Sequence, residues 1–141
     1  MRIMTDVNAY LFFNGNCAEA MKFYETTLGG KLRVVKASDM PGGTEGGASP
    51  DAIMHARLDV DAHGILMSSD WMDTNPYPGM HGFRVSLTYK NVDDARRVCE
   101  ALGAGGSTEM PFDKTFWSEG FGMVTDKFGT PWMVGTEGPQ Q

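Results

Sequence analysis

Two stretches of this chain run through the same events. AYLFFNGNCAEAMKFYETTLGG starts at Ala9, and VSLTYKNVDDARRVCEALGAGG starts at Val85, about 75 residues later. Each passes from an apolar-rich strand through a polar break into a helix, and ends on leucine and glycine. A repeat constrains the fold more than composition does, because each copy is one supersecondary unit with the same apolar face to cover.

In the first copy Asn16 suits an N-cap and Glu19 sits at the third helical position, as in a capping box. Ala20, Met21, Tyr24 and Leu28 then form an apolar stripe, and Gly29 stops the helix. In the second copy Asn91 caps, Ala95, Val98, Cys99 and Leu102 form the stripe, and Gly103 stops it. Both copies later place an Asp-x-x-Gly turn before a short apolar strand: Asp61 with Gly64, and Asp126 with Gly129. These turns are about 65 residues apart. The loop MPGGTEGGASPD, Met40 to Asp51, absorbs the difference, and it lacks the Gly-Lys-Ser/Thr ending of a phosphate loop.

Residues 31–38, 53–60 and 65–69 read as further strands of the first half, and 106–112 and 121–125 as strands of the second. Each half is therefore expected to be βαβββ, in an α+β domain spanning 1–141. Module one covers about 7–70, a linker runs from Trp71 to Gly82, and module two covers about 83–136. Two such half-sheets forming one curved mixed sheet leave a concave pocket at their seam.

Charge narrows the partners. The net charge is −6 and basic residues do not cluster, which disfavours nucleic acid and acidic membrane surfaces. No apolar run matches a signal peptide or could span a bilayer. Two cysteines, Cys17 and Cys99, are too few for a disulfide scaffold, so both read as buried thiols in a reducing cytoplasm. A nucleophilic Cys99 is the lesser reading, since no histidine lies near it in sequence.

The segments YLFFNGNCAEAMKFYETTLGG, LMSSD and TFWSEGFGMVTDKFGTPWMV carry a resemblance to a known family. Together they make the chain resemble the PhnB-like branch of the vicinal oxygen chelate superfamily. That superfamily includes glyoxalase I, extradiol dioxygenases, and fosfomycin and bleomycin resistance proteins. The resemblance covers nearly the whole chain and implies paired βαβββ modules and a homodimer. It also implies a divalent metal held by His or Glu from the first and last strands of each module. Those positions here hold Ala9, Ser68 (or Met67), Arg84 and Met133, which make poor ligands, so no metal and no cofactor are expected. Family labels that mention a methyltransferase find no Gly-x-Gly-x-Gly nucleotide loop here.

Alternation places the remaining candidates. In FRVSLTYK, Val85, Leu87 and Tyr89 are expected to meet the helix, leaving Arg84, Ser86 and Thr88 toward the pocket. The repeat spacing puts Ala9, Leu11 and Phe13 on the equivalent face of the first strand. One polar and one apolar wall suit a small amphipathic ligand. Arg84 has two readings: a clamp for an anionic ligand group, or the partner of an internal acid such as Glu119 or Asp70. Phe116 and Trp117 either touch the ligand or fill the core or a dimer seam. Glu119, His55 and Asp70 are the acid–base candidates; Glu119 also reads as a solvated loop charge, and His55 as a satisfied buried histidine. His63 and His81 read as solvated surface. The expected ligand-contacting set is thus Leu11, Phe13, Arg84, Ser86, Phe116, Trp117 and Met133. A metal-free small-molecule binder is the leading reading, with a metal-dependent lyase, transferase or dioxygenase as its alternative.

Overall fold

The computed structural model describes residues 5–45, 49–61 and 64–137. His63 and the middle of the Met40–Asp51 loop lie outside them. The chain divides into two compact units, Met1–Tyr77 and Pro78–Gln141. Among the described residues no helix is long and apolar enough to cross a membrane.

In the first unit β1 (Ala9–Phe13) leads to α1 (Cys17–Leu28), followed by β2 (Lys31–Lys36), β3 (Ile53–Asp61) and β4 (Gly64–Asp70). The strand order is β1-β4-β3-β2, with β1 parallel to β4 and the other neighbours antiparallel. The second unit repeats this with β5 (Val85–Tyr89), α2 (Val92–Gly103), β6 (Ser107–Asp113), β7 (Phe121–Thr125) and β8 (Pro131–Thr136). Its order is β5-β8-β7-β6, again with one parallel pair, β5 with β8. The expected βαβββ content of each half is observed, and the fold class is α+β with two four-stranded mixed sheets.

Each helix lies on one face of its own sheet, and the core of each unit is that single layer. In the first unit Phe13 and Tyr24 are fully buried with ring centroids 6.3 Å apart. In the second, Val98 and Cys99 of α2 are buried along with Val124, Trp132 and Val134 of the sheet. Gly122 lets this helix approach closely: a Cβ there would stand 2.9 Å from Cys99 Sγ. Gly103 is the last helical residue rather than the stop, and Ala104 takes the cap. A Cβ at Gly103 would stand 3.0 Å from Val124 Cγ1, so this glycine serves packing.

The two helix starts differ, although both carry asparagine. Asn91 caps α2 as expected, its Oδ1 accepting from the Asp93 and Asp94 N–H groups at 2.7 and 3.3 Å. The Asn16 side chain makes no capping bond. Asp70, at the end of β4, does this work instead. One carboxylate oxygen accepts from Cys17 N at 3.0 Å and the other from Ile53 N at 2.8 Å.

The strand faces require a correction. Leu11 and Phe13 face α1 and are buried, at 1% and 0% exposure. The residues on the outer face of β1, turned away from the helix, are Tyr10 and Phe12. Three residues, Asn14 to Asn16, separate β1 from α1, whereas only Lys90 and Asn91 separate β5 from α2. Gly15, at φ 88°, belongs to the longer connection. Aligning the copies on their helices therefore misplaces the strands by one residue, and a slip of one residue exchanges the faces. Leu11 and Phe13 correspond to Leu87 and Tyr89, not to Ser86 and Thr88.

Candidate functional site

On β5 the expected faces are observed. Ser86 and Thr88 are exposed on the side away from α2, and Val85, Leu87 and Tyr89 are half-buried. Register then defines a row across the outer face of this sheet. Ser86 is opposite Met133, Met133 opposite Met123, and Met123 opposite Met110. Three thioethers on adjacent strands make a soft, adaptable strip. Met123 and Met110 are absent from the expected ligand-contacting set, and the face of Met110 follows only from the irregular register of β6 on β7. The alternation in FGMVT, with buried Gly122 and Val124 between half-buried partners, is the available signal.

Arg84 lies beside this row. Its Nη1 is 3.2 Å from Glu109 Oε1, 3.2 Å from the Val124 carbonyl and 3.1 Å from the Trp132 carbonyl. The guanidinium is thus paired with an internal acid, but that acid is Glu109, not Glu119 or Asp70. Glu109 also accepts from Ser107 Oγ at 2.6 Å and Thr125 Oγ1 at 2.7 Å. Those hydroxyls first, and Arg84 after them, hold its carboxyl below the usual range. All three contacts use Nη1, and the carboxylate beside it offsets the charge that an anionic ligand would meet. Arg84 and Met133 also border an open hollow of about 580 Å³, together with Met80, His81, Phe83 and Thr125.

On the other side of the row stands Phe121, two residues before Met123 on β7 and opposite Gly135. A Cβ at Gly135 would meet Phe121 Cδ2 at 3.1 Å, so the ring lies close over the β8 backbone. Trp117 packs edge-on against it, with centroids 5.6 Å apart at 67°, and Phe116 does the same to Trp117 at 4.8 Å and 85°. Neither is core: Phe116 is 93% exposed and Trp117 40%. Their loop is pinned by Ser118, whose Oγ donates to the Gly120 carbonyl at 2.7 Å and lies 2.8 Å from Thr136 Oγ1. Glu119 is exposed in the same loop.

The outer face of the first unit carries different chemistry. Tyr10, Phe12, Met67 and His55 share it by register. The Tyr10 hydroxyl is 3.5 Å from His55 Nδ1, and Tyr10 and Phe12 are 5.0 Å apart by centroid. Trp71 meets Phe12 edge-on at 5.5 Å. Tyr77 donates its hydroxyl to the Phe12 carbonyl at 2.6 Å, and burial raises its pKa. This wall was hidden by the same one-residue slip. Asp70 lies on the opposite face from His55, with both carboxylate oxygens taken by backbone N–H groups. It is a structural clamp, not an acid–base partner for His55.

The cysteines are structural as well. Burial pushes the Cys17 thiol up to about 12, outweighing the lowering effect of its 3.2 Å contact with Ser68 Oγ. Burial and the charge of Glu100 raise Cys99, which disfavours the thiolate that a nucleophile needs.

With the strands correctly aligned, the positions at which the superfamily holds its metal become Asn8, Met67, Arg84 and Met133. Ser68 faces the helix, so Met67 is the right choice of the two. An amide, a guanidinium and two thioethers do not fit a hard or borderline divalent ion. Among the described residues no group of three or more His, Cys, Asp or Glu is placed to hold one elsewhere.

The profile of the Glyoxalase/Bleomycin resistance protein/Dioxygenase superfamily matches residues 6–134. Protein YjdN of Escherichia coli K12 is 37% identical over 138 residues, covering 91% of this chain and 92% of that one. The crystal structure of PA1353 from Pseudomonas aeruginosa superposes with a TM-score of 0.87 at 43% identity, covering 95% and 98%. A Bacillus cereus PhnB protein, described as a putative 3-demethylubiquinone-9 3-methyltransferase, gives 0.74 at 20% identity, covering 94% and 99%; at that identity the likeness is one of fold. With the family profile matching nearly its full length, this chain belongs to the Glyoxalase/Bleomycin resistance protein/Dioxygenase superfamily.

Proposed function

We propose that the chain binds a small amphipathic organic molecule on the outer face of its second half-sheet, without a resident divalent metal. The supporting observation is the Ser86–Met133–Met123 row, flanked by Arg84 on one side and by Phe121 with Trp117 on the other. An adaptable apolar floor with a few polar groups at its rim is the usual composition of a small-molecule site. Leu11 and Phe13 leave the set of contact residues, and Tyr10 and Phe12 are the outward-facing residues of β1. The pairing of Arg84 with Glu109 offsets the positive charge at the row and so favours an uncharged group over an anion there.

The metal-dependent alternative has no donor set at the family positions to support it. Elemental analysis of protein purified without chelator or affinity tag tests that part. One divalent ion per chain, held through dialysis, overturns the metal-free reading. A broad small-molecule screen followed by product analysis tests the rest. Binding without turnover that moves the methyl NMR signals of Met123 and Met133 is the expected result; turnover of the bound compound makes the chain an enzyme.

A further inference from the structure

We infer that the ligand of this face is a flat aromatic molecule, uncharged where it lies on the sheet and carrying a hydroxyl or carbonyl group at one edge; this rests on the binding reading above. Three features of the outer face point to it. The first is the floor. Met133, Met123 and Met110 sit side by side on adjacent strands, a strip about 10 Å across at the usual strand spacing. Thioethers gain contact energy against aromatic rings beyond plain burial, so this strip distinguishes an aromatic ring from a saturated one of the same size.

The second is the wall. Phe116, Trp117 and Phe121 form a run of edge-to-face pairs, and Phe121 keeps its position because Gly135 has no side chain beneath it. A ligand ring on Met123 and Met133 extends this run by one member, in the geometry aromatic pairs prefer. The third is charge. Arg84 is held by Glu109 and two backbone carbonyls, and Glu109 by two hydroxyls. Glu109 offsets the charge of Arg84 beside the floor, so an anion entering there meets Glu109 as well as Arg84 and a cation meets Arg84 as well as Glu109; an uncharged group meets neither penalty. Ser86 and Thr88 are exposed on β5, at the edge of the floor, and offer single hydroxyls to one polar group.

Three probes of one shape test the inference: 2-naphthol, decahydro-2-naphthol and naphthalene-2-sulfonate. Affinity is measured by calorimetry, and methionine methyl signals are followed by NMR, assigned through Met123→Leu and Met133→Leu. 2-Naphthol is expected to bind about tenfold more tightly than its saturated counterpart and to shift the Met123 and Met133 methyls upfield by ring current. Phe121→Leu should reduce that preference, its fold checked by the unchanged methyls of the first unit. Equal affinity for the saturated probe without upfield shifts overturns the aromatic class and leaves small-molecule binding standing. Tighter binding of the sulfonate overturns the uncharged class. If no probe moves these methyls while a compound from the broad screen does, the inference fails alone; if nothing does, both fail.

Discussion

Asp126 shows how much one carboxylate can organise. It is 3% exposed, and its Oδ1 accepts from Phe128 N at 2.9 Å and Thr130 N at 3.1 Å while its Oδ2 takes Trp132 Nε1 at 2.8 Å. The turn and the core tryptophan are thereby fixed by one side chain. Asp126→Asn keeps the shape but turns an NH₂ toward a donor, which should cost about 1–3 kcal/mol. The urea midpoint should fall with an unchanged slope; no change would mean that the turn does not need the charge. Cys17 gives a pH dependence. Its folded thiol titrates at about 12, above the ordinary 9.0, so between those values the unfolded state loses a proton that the folded state keeps. The Cys17 contribution is constant below about pH 9 and falls as pH rises beyond it, by at most about 1.4 kcal/mol per pH unit. Cys99 and Tyr77, also raised by burial, act in the same direction. Urea titrations from pH 8 to 10.5 check the direction, and in native protein at pH 8 the thiol should resist alkylation.

At the scale of the elements, the two helix starts predict opposite outcomes from one substitution. Asn91→Ala removes a cap that accepts two N–H groups and should cost about 1 kcal/mol. Asn16→Ala removes nothing comparable and should stay within about 0.5 kcal/mol. Chemical denaturation of both variants, side by side, decides it; equal losses would contradict the assignment of the α1 cap to Asp70. The same contrast shows what was legible beforehand. Helices, strands and the Asp126 hairpin follow from local periodicity and turn chemistry, and the repeat reveals the βαβββ plan. The α1 cap does not, because its acceptor lies 53 residues away from Cys17. Nor does the outer face of β1, since two helix-aligned copies hide a single extra residue between strand and helix. The outward face of Ser86 was readable from alternation, whereas Met133 entered only through the positions that the family resemblance mapped. Glu109 was not, because it reaches Arg84 across two intervening strands.

For the molecule as a whole, exposed apolar surface is the main unresolved cost. Tyr10 and Phe12 are 40% and 43% exposed, and Phe116 is almost wholly so. The sheet orders also leave β1 and β5 at edges, and AYLFF and VSLTY carry no charge to guard them. β2 has Lys31, Arg33 and Lys36, and β6 has Pro111, each a common edge protection. We therefore expect a homodimer, checked by light scattering at micromolar concentration; a monomer there would count against it. The two helix starts bear on the order of events during folding too. α2 finds its cap two and three residues away, so it can nucleate as soon as its own segment meets. α1 gains its side-chain cap only when β4 arrives, which requires closing most of the first unit into a loop. The second unit should consolidate early and the first late. In stopped-flow measurements Asn91→Ala should slow refolding, whereas Asp70→Asn should leave the refolding rate nearly unchanged and quicken unfolding.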